Sequence, residues 1–223
     1  MKNFMKLSAL AAAMAASAGV SAADVKLGVT GRIVPPACTV TLANGGAVSY
    51  GAITIDELKA DEPVKLDTKT LATTIQCASN AKFALQFIDN NALSKNDDVA
   101  DVAIHDARDK NAARLFGMGT DRSGNKIGGY YLRFDTGASD QDGTAMSSSV
   151  WSGGSWKGNT TVTPEVDRSG WRLGSAPVGS APPAVSGIAA YLSIYPGVAA
   201  TDDLDVTDRV RFAGDVSIVL HYL

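Results

Sequence analysis

Histidine and cysteine are scarce in this 223-residue chain, two of each, and no apolar run beyond the N-terminal one approaches the length of a membrane span. With only His105 and His221, and with two cysteines outside any CxxC spacing, a zinc site is poorly supplied. The motifs G-x-S-x-G and H-E-x-x-H are absent. Ser79-Asn80-Ala81-Lys82 matches S-x-x-K without its companion motifs, and a pattern so short arises by chance. Asp140 and Asp142 before Gly143 resemble part of a calcium loop but lack the other ligand positions and the closing glutamate. Basic residues form no cluster, which argues against nucleic acid as a partner. Internal repeats and long amphipathic helical patterns are also missing. These absences point away from an enzyme and from any cofactor.

What is present begins with a secretory signature. Lys2 and Lys6 form a basic n-region, an Ala-rich apolar run extends from Leu7 to about Val20, and small residues close it at Val20-Ser21-Ala22-Ala23. The run is shorter than the ~20 apolar residues of a spanning helix. Residues 1–23 are therefore expected to be a cleaved signal peptide, with cleavage after Ala22 or Ala23, and the mature chain to be exported. Without Lys2 and Lys6, 18 basic residues stand against 23 acidic ones, a net charge of −5. Export meets an oxidising compartment, where two cysteines are most simply one disulfide, Cys38–Cys77.

The remaining length suits one domain with many short strands. Val25, Leu27, Val29, Gly31 and Ile33 alternate with polar residues, as a strand does. Cys38–Leu42, Val48–Ile55, Leu71–Cys77, Lys82–Ile88, Tyr130–Phe134 and Gly187–Tyr195 are expected strands, with turns at Asn44-Gly45-Gly46 and Ser79-Asn80. The aspartate-rich stretch from Asp89 to Lys110 is expected to be a long surface loop that admits a helical turn, residues 136–149 and Pro164–Pro183 are expected to be loops, and Trp151–Thr163 to hold a hairpin. The C-terminal segment alternates again, with Val210, Phe212, Gly214, Val216, Ile218, Leu220 and Tyr222 on one face. His221 falls on the opposite, polar face as a surface residue. The fold class is all-β, a sandwich.

Both ends of the chain are thus strand-like, although termini are usually loose unless tied down. The segment Gly31-Arg32-Ile33-Val34-Pro35-Pro36-Ala37-Cys38 resembles the start of mature chaperone–usher pilins, such as the major subunit of type 1 fimbriae. In those proteins an alternating arm with one buried-face glycine precedes the strand of the first cysteine. The second cysteine within Ile75-Gln76-Cys77 is similar too, as is the alternating C-terminal strand with its penultimate tyrosine, Tyr222. Leu115–Gly119 and Asn125–Tyr130 resemble a less-studied fimbrial branch, and Ala92–Gly128 is longer than the usual subunit has.

The resemblance implies an incomplete immunoglobulin-like sandwich over residues 37–223, lacking its last strand, with a donor-strand arm over 24–36. Val25, Leu27, Val29 and Ile33 would be plugs and Gly31 a point of close approach. Val216, Ile218, Leu220 and Tyr222 would line an acceptor groove, filled first by a periplasmic chaperone and then by a neighbouring subunit's arm at the outer-membrane usher. The product would be a surface fibre used for adhesion. A minor or adaptor subunit is the related alternative. From another class comes a self-contained secreted carbohydrate-binding sandwich, using Trp151, Trp156 and Trp171 if exposed to stack on sugars rather than packed in a core or hairpin.

Overall fold

Thr39, Val40 and Thr41 give the segment after the first cysteine its β-branched character, and a computed structural model places strand β1 at Cys38–Leu42. The structure describes residues 26–32, 37–103, 111–158, 161–165 and 167–223. The chain divides into two units, Met1–Val34 and Pro35–Leu223. In the first, residues 26–32 are exposed and form neither strand nor helix, so the expected strand does not appear there. Val25, Ile33, the expected signal segment and His105 lie outside the described residues.

The second unit is all-β. After β1 come β2 (Val64–Lys65), β3 (Lys69–Ala81) and β4 (Phe83–Asp89). A short helix, α1 (Ala100–Ala103), precedes β5 (Phe116–Gly117) and β6 (Gly128–Phe134). Then follow β7 (Ala138–Asp140), β8 (Ala145–Ser152), β9 (Ser155–Lys157), β10 (Arg168–Leu173), β11 (Val185–Val198) and β12 (Val216–Tyr222). The strands run in the order β1-β3-β11-β7-β8-β10-β4-β12, a path that nearly closes on itself. Strand β11 serves two neighbours along one edge, β7 at Ile188–Ala189 and β6 at Leu192–Val198.

Alternation decides which side chains enter the core. Leu71, Thr73, Ile75 and Cys77 of β3 are buried while the residues between them are exposed. Phe83, Leu85 and Phe87 of β4 are buried too, but there Ala84 is buried as well and Gln86 is half-buried. The rings of Phe87 and Phe134 meet edge-on at 5.9 Å, and those of Phe134 and Trp171 at 4.9 Å. A second small cluster, Val99, Ala103, Leu115 and Tyr131, packs with Tyr195, and the Tyr131 hydroxyl donates to the carbonyl of Ala100.

Several sequence expectations are corrected. Val48–Ile55 forms no strand: its apolar side chains face cavities instead of continuing a ladder. Ser79-Asn80 is no hairpin turn, since β3 runs on to Ala81 and pairs there with Val185. The chain crosses at Lys82 from neighbours β1 and β11 to neighbours β10 and β12. The segment after Asp89 contains a helical turn, α1, but is not a surface loop throughout, because Val99 and Ala103 are fully buried. Residues 136–149 contain β7 and much of β8, and Pro164–Pro183 contains β10. The C-terminal strand begins at Val216, not at Val210.

Candidate functional site

The path of strands has two ends, and they are the two terminal strands of the unit. Among the described residues β1 pairs only with β3, and β12 only with β4. Each therefore keeps one edge of backbone N–H and C=O groups outside any ladder that these residues form. Cys38 lies opposite Cys77 in the β1–β3 ladder, and the two form a disulfide that ties the first edge to the sheet. The Cys38 N–H donates to the Tyr222 hydroxyl at 2.9 Å, joining β1 to the far end of β12.

A groove of about 530 Å³ runs along β12. Its wall includes Val216 and Ile218, its floor Leu71, Phe87, Leu132 and Leu192, and its opposite rim Leu42, Val48 and Tyr50. Val216, Ile218 and Leu220 are only half-buried although they pack on the core. Leu220 sits on the same face as the two wall residues, outside the cavity lining, and Tyr222 closes the row while remaining 44% exposed. A second cavity of about 330 Å³, lined by Ile53, Leu58, Ile127, Leu204 and Val206, shares Phe212 with the first. Tyr50 and Phe212 meet ring to ring at 6.1 Å. Burial, and then the charge of Asp67, pushes the Tyr50 phenol up to about 12.

The entrance to β12 is held by groups the sequence reading did not single out. The Ala213 N–H donates to Met118 O, the Asn91 side-chain amide donates to Ala213 O, and the Asn90 N–H donates to Asp215 O. Buried Asp89 fixes this neighbourhood, accepting from the N–H groups of Asn91 and Gly117. Tyr130 lies against Gly214 so closely that a Cβ there would sit 2.5 Å from the ring. Burial, followed by the carboxylates of Asp89 and Asp215, raises the Tyr130 phenol well above its ordinary range. A lone glycine in an alternating strand is the one sequence signal that marks this contact.

The remaining candidates fall as follows. Leu27 and Val29 are 89% and 88% exposed, and Gly31 has open space about it. His221, expected as a surface residue, is half-buried, and its Nε2 lies 2.8 Å from the Gln86 Oε1. Burial first and the charge of Arg168 second lower the imidazole's pKa. Asp140 Oδ1 accepts from the N–H groups of Asp142 and Thr144, so its carboxylate holds the β7–β8 turn. Trp171 is in the core, while Trp151 and Trp156 form the β8–β9 hairpin contact. Chemically the groove offers apolar surface beside unpaired strand edges, the arrangement that receives an extended apolar segment.

Comparison with known proteins adds two likenesses. A family model described as "Protein of unknown function (DUF1120)" matches residues 27–131, a span that holds both cysteines, β4 and the whole segment between β4 and β6. The "Uncharacterized protein YhcF" of Escherichia coli (strain K12) is 22% identical over 239 residues, covering 99% of this chain and 100% of that protein. The likeness to that protein thus extends through the C-terminal strand as well.

Proposed function

We propose that this protein is a structural subunit of a chaperone–usher fimbria, an incomplete immunoglobulin-like sandwich that polymerises by accepting a strand from its neighbour. The observation that carries the reading is the apolar groove beside β12, at the point where the strand path stops short of closure. An open apolar edge is an aggregation hazard that a soluble domain has reason to cover. The alternating arm supports the same reading, since Leu27 and Val29 are almost fully exposed apolar side chains.

In this mechanism a chaperone lends a strand to the groove in the periplasm, and at the usher the arm of the next subunit replaces it. Val25, Leu27, Val29 and Ile33 act as plugs, and Val216, Ile218, Leu220 and Tyr222 as the receiving strand. Burying four such plugs contributes ~6–12 kcal/mol before ordering costs. The contact is head-to-tail and does not close, so it propagates a filament. Lys2, Lys6 and the apolar run to Val20 supply the export signal this route needs.

Two periplasmic variants made without a chaperone test it. One lacks residues 24–34; the other carries that segment moved to the C-terminus through a short flexible linker. Aggregation of the first and a stable monomer from the second are expected. A truncated form that is soluble, monomeric and equally heat-stable would mean that the sandwich is already complete, and the reading falls.

A further inference from the structure

The three tryptophans part company in the structure. Trp171 points into the core, whereas Trp151 and Trp156 lie on the outer face of the sheet, on the side away from Phe87 and Phe134. Strand register then sets a row across five strands. Trp156 of β9 is opposite Trp151 of β8, Trp151 opposite Arg168 of β10, Arg168 opposite Gln86 of β4, and Gln86 opposite Val219 of β12. Directly opposed residues share a face, so the five span about 19 Å at four inter-strand steps. His221 joins the row through Gln86.

The row is built, not scattered. The Trp156 ring rests on the backbone of Gly170, where a Cβ would sit 3.0 Å from its Cη2 and Cζ3. Its edge-to-face contact with Trp151, at 5.5 Å, leaves the second indole 37% exposed. Gln86 is anchored on both sides, its amide donating to Glu165 O and its oxygen facing His221. Arg168 differs: among the described residues it has no carboxylate within ion-pair distance. Burial and then the charge of Arg168 disfavour the protonated His221 imidazole, whereas the Arg168 guanidinium stays charged and is the fixed positive charge of the row.

We propose that this face binds a carboxylated saccharide, with a pyranose ring stacked on Trp151 and its carboxylate paired with Arg168. An indole offers a flat apolar surface for the C–H face of a sugar. A guanidinium matches a carboxylate bidentately, and this one is available to do so. A neutral sugar leaves Arg168 unused. A polyanion such as nucleic acid needs several cations, which the row does not have. The inference stands apart from strand exchange, because the row lies on the sheet face opposite the groove floor.

Tryptophan fluorescence of the full mature chain, titrated with trigalacturonate, 3′-sialyllactose, lactose and tetraglutamate, tests it. Saturable change is expected with at least one acidic saccharide, and weaker change with lactose and tetraglutamate. Arg168→Gln is expected to weaken the acidic sugar about tenfold with an unchanged melting temperature, and Arg168→Lys to retain part of the affinity. Trp151→Ala should abolish the response and Trp151→Phe preserve part of it. If Trp151→Ala unfolds, the arginine pair still decides. No saturation by either acidic saccharide at millimolar concentration, an equal response to tetraglutamate, or an Arg168→Gln titration identical to wild type would overturn the proposal.

Discussion

The backbone N–H of Cys38 donates to the hydroxyl of Tyr222 at 2.9 Å, across 184 residues of sequence. This bond joins the first and last strands of the sheet path beyond the groove lining. Tyr222→Phe keeps the ring and removes the acceptor, and is expected to cost ~0.5–1.5 kcal/mol in urea unfolding. An unchanged midpoint would mean that water serves the Cys38 N–H equally well.

The disulfide sits beside that bond and closes a loop with a sequence separation of 39. Replacing Cys38 and Cys77 together by Ala is expected to cost about 4 kcal/mol, chiefly by freeing the unfolded chain. Denaturant midpoints of the double variant and of the oxidised protein compare the two. A loss below about 1 kcal/mol would show that the unfolded loop is already restricted.

Gly214 has no room for a side chain, because Tyr130 occupies the place of its Cβ. Gly214→Ala must displace the Tyr130 ring, which burial and the neighbouring segments hold, at a cost of ~1–3 kcal/mol. Thermal melting measures the loss. Gly31→Ala, in open space, is the contrasting substitution and is expected to leave the melting temperature of the free subunit unchanged.

Asp121 supplies an acid-sensitive clasp. Its carboxylate accepts from the N–H of Asp205, then from the side chain and N–H of Asn125 and the N–H of Ser123, and these bonds lower its pKa. Asp205 is lowered likewise, by the Thr207 hydroxyl first and the Ser123 hydroxyl next. A carboxyl whose folded pKa lies below its unfolded value adds stability above the unfolded value and loses it as pH falls through the folded one. The clasp is therefore fully engaged above the ordinary aspartate value of 3.8 and loses its contribution as pH falls from there through the lower folded value. Asp121→Asn is expected to lower stability near neutral pH and to flatten the decline below about pH 4. A decline as steep as that of wild type would place the acid sensitivity elsewhere.

How far the sequence reaches depends on what each residue does. Cys38–Leu42 reads as a strand and is one, because alternation there serves both burial and ladder. Val48–Ile55 reads equally well and is not, because apolarity reports burial while the ladder depends on a neighbour. Strands β8 and β10 were hidden by composition: Ser147, Ser148 and Ser149 look like loop residues, yet two are buried between Trp-bearing strands. That Val216, Ile218 and Leu220 share one face of a strand was legible from their period of two. Asp89, Tyr130 and Phe212 were not, because their roles come from segments far apart in sequence.

The sharpest test of the proposed function uses residues that the fold does not need. Leu27 and Val29 are almost fully exposed, so Leu27→Asp and Val29→Asp are expected to leave the melting temperature of the chaperone-bound subunit unchanged. In a partner's groove lined by Phe87, Leu132 and Leu192, the same carboxylates would have to leave water without a counter-charge. Each substitution also forfeits the ~1.5–3 kcal/mol of burying the original side chain. Assembly should therefore fail while folding succeeds, read as loss of high-molecular-weight polymer on unheated gels with normal periplasmic subunit levels. A control at exposed Thr30, Thr30→Asp, which alternation puts on the opposite face of the arm when it is extended in a groove, is expected to polymerise. If Val29→Asp polymerises as well as Thr30→Asp, the arm does not enter a groove by alternate side chains, and strand donation by this segment is excluded.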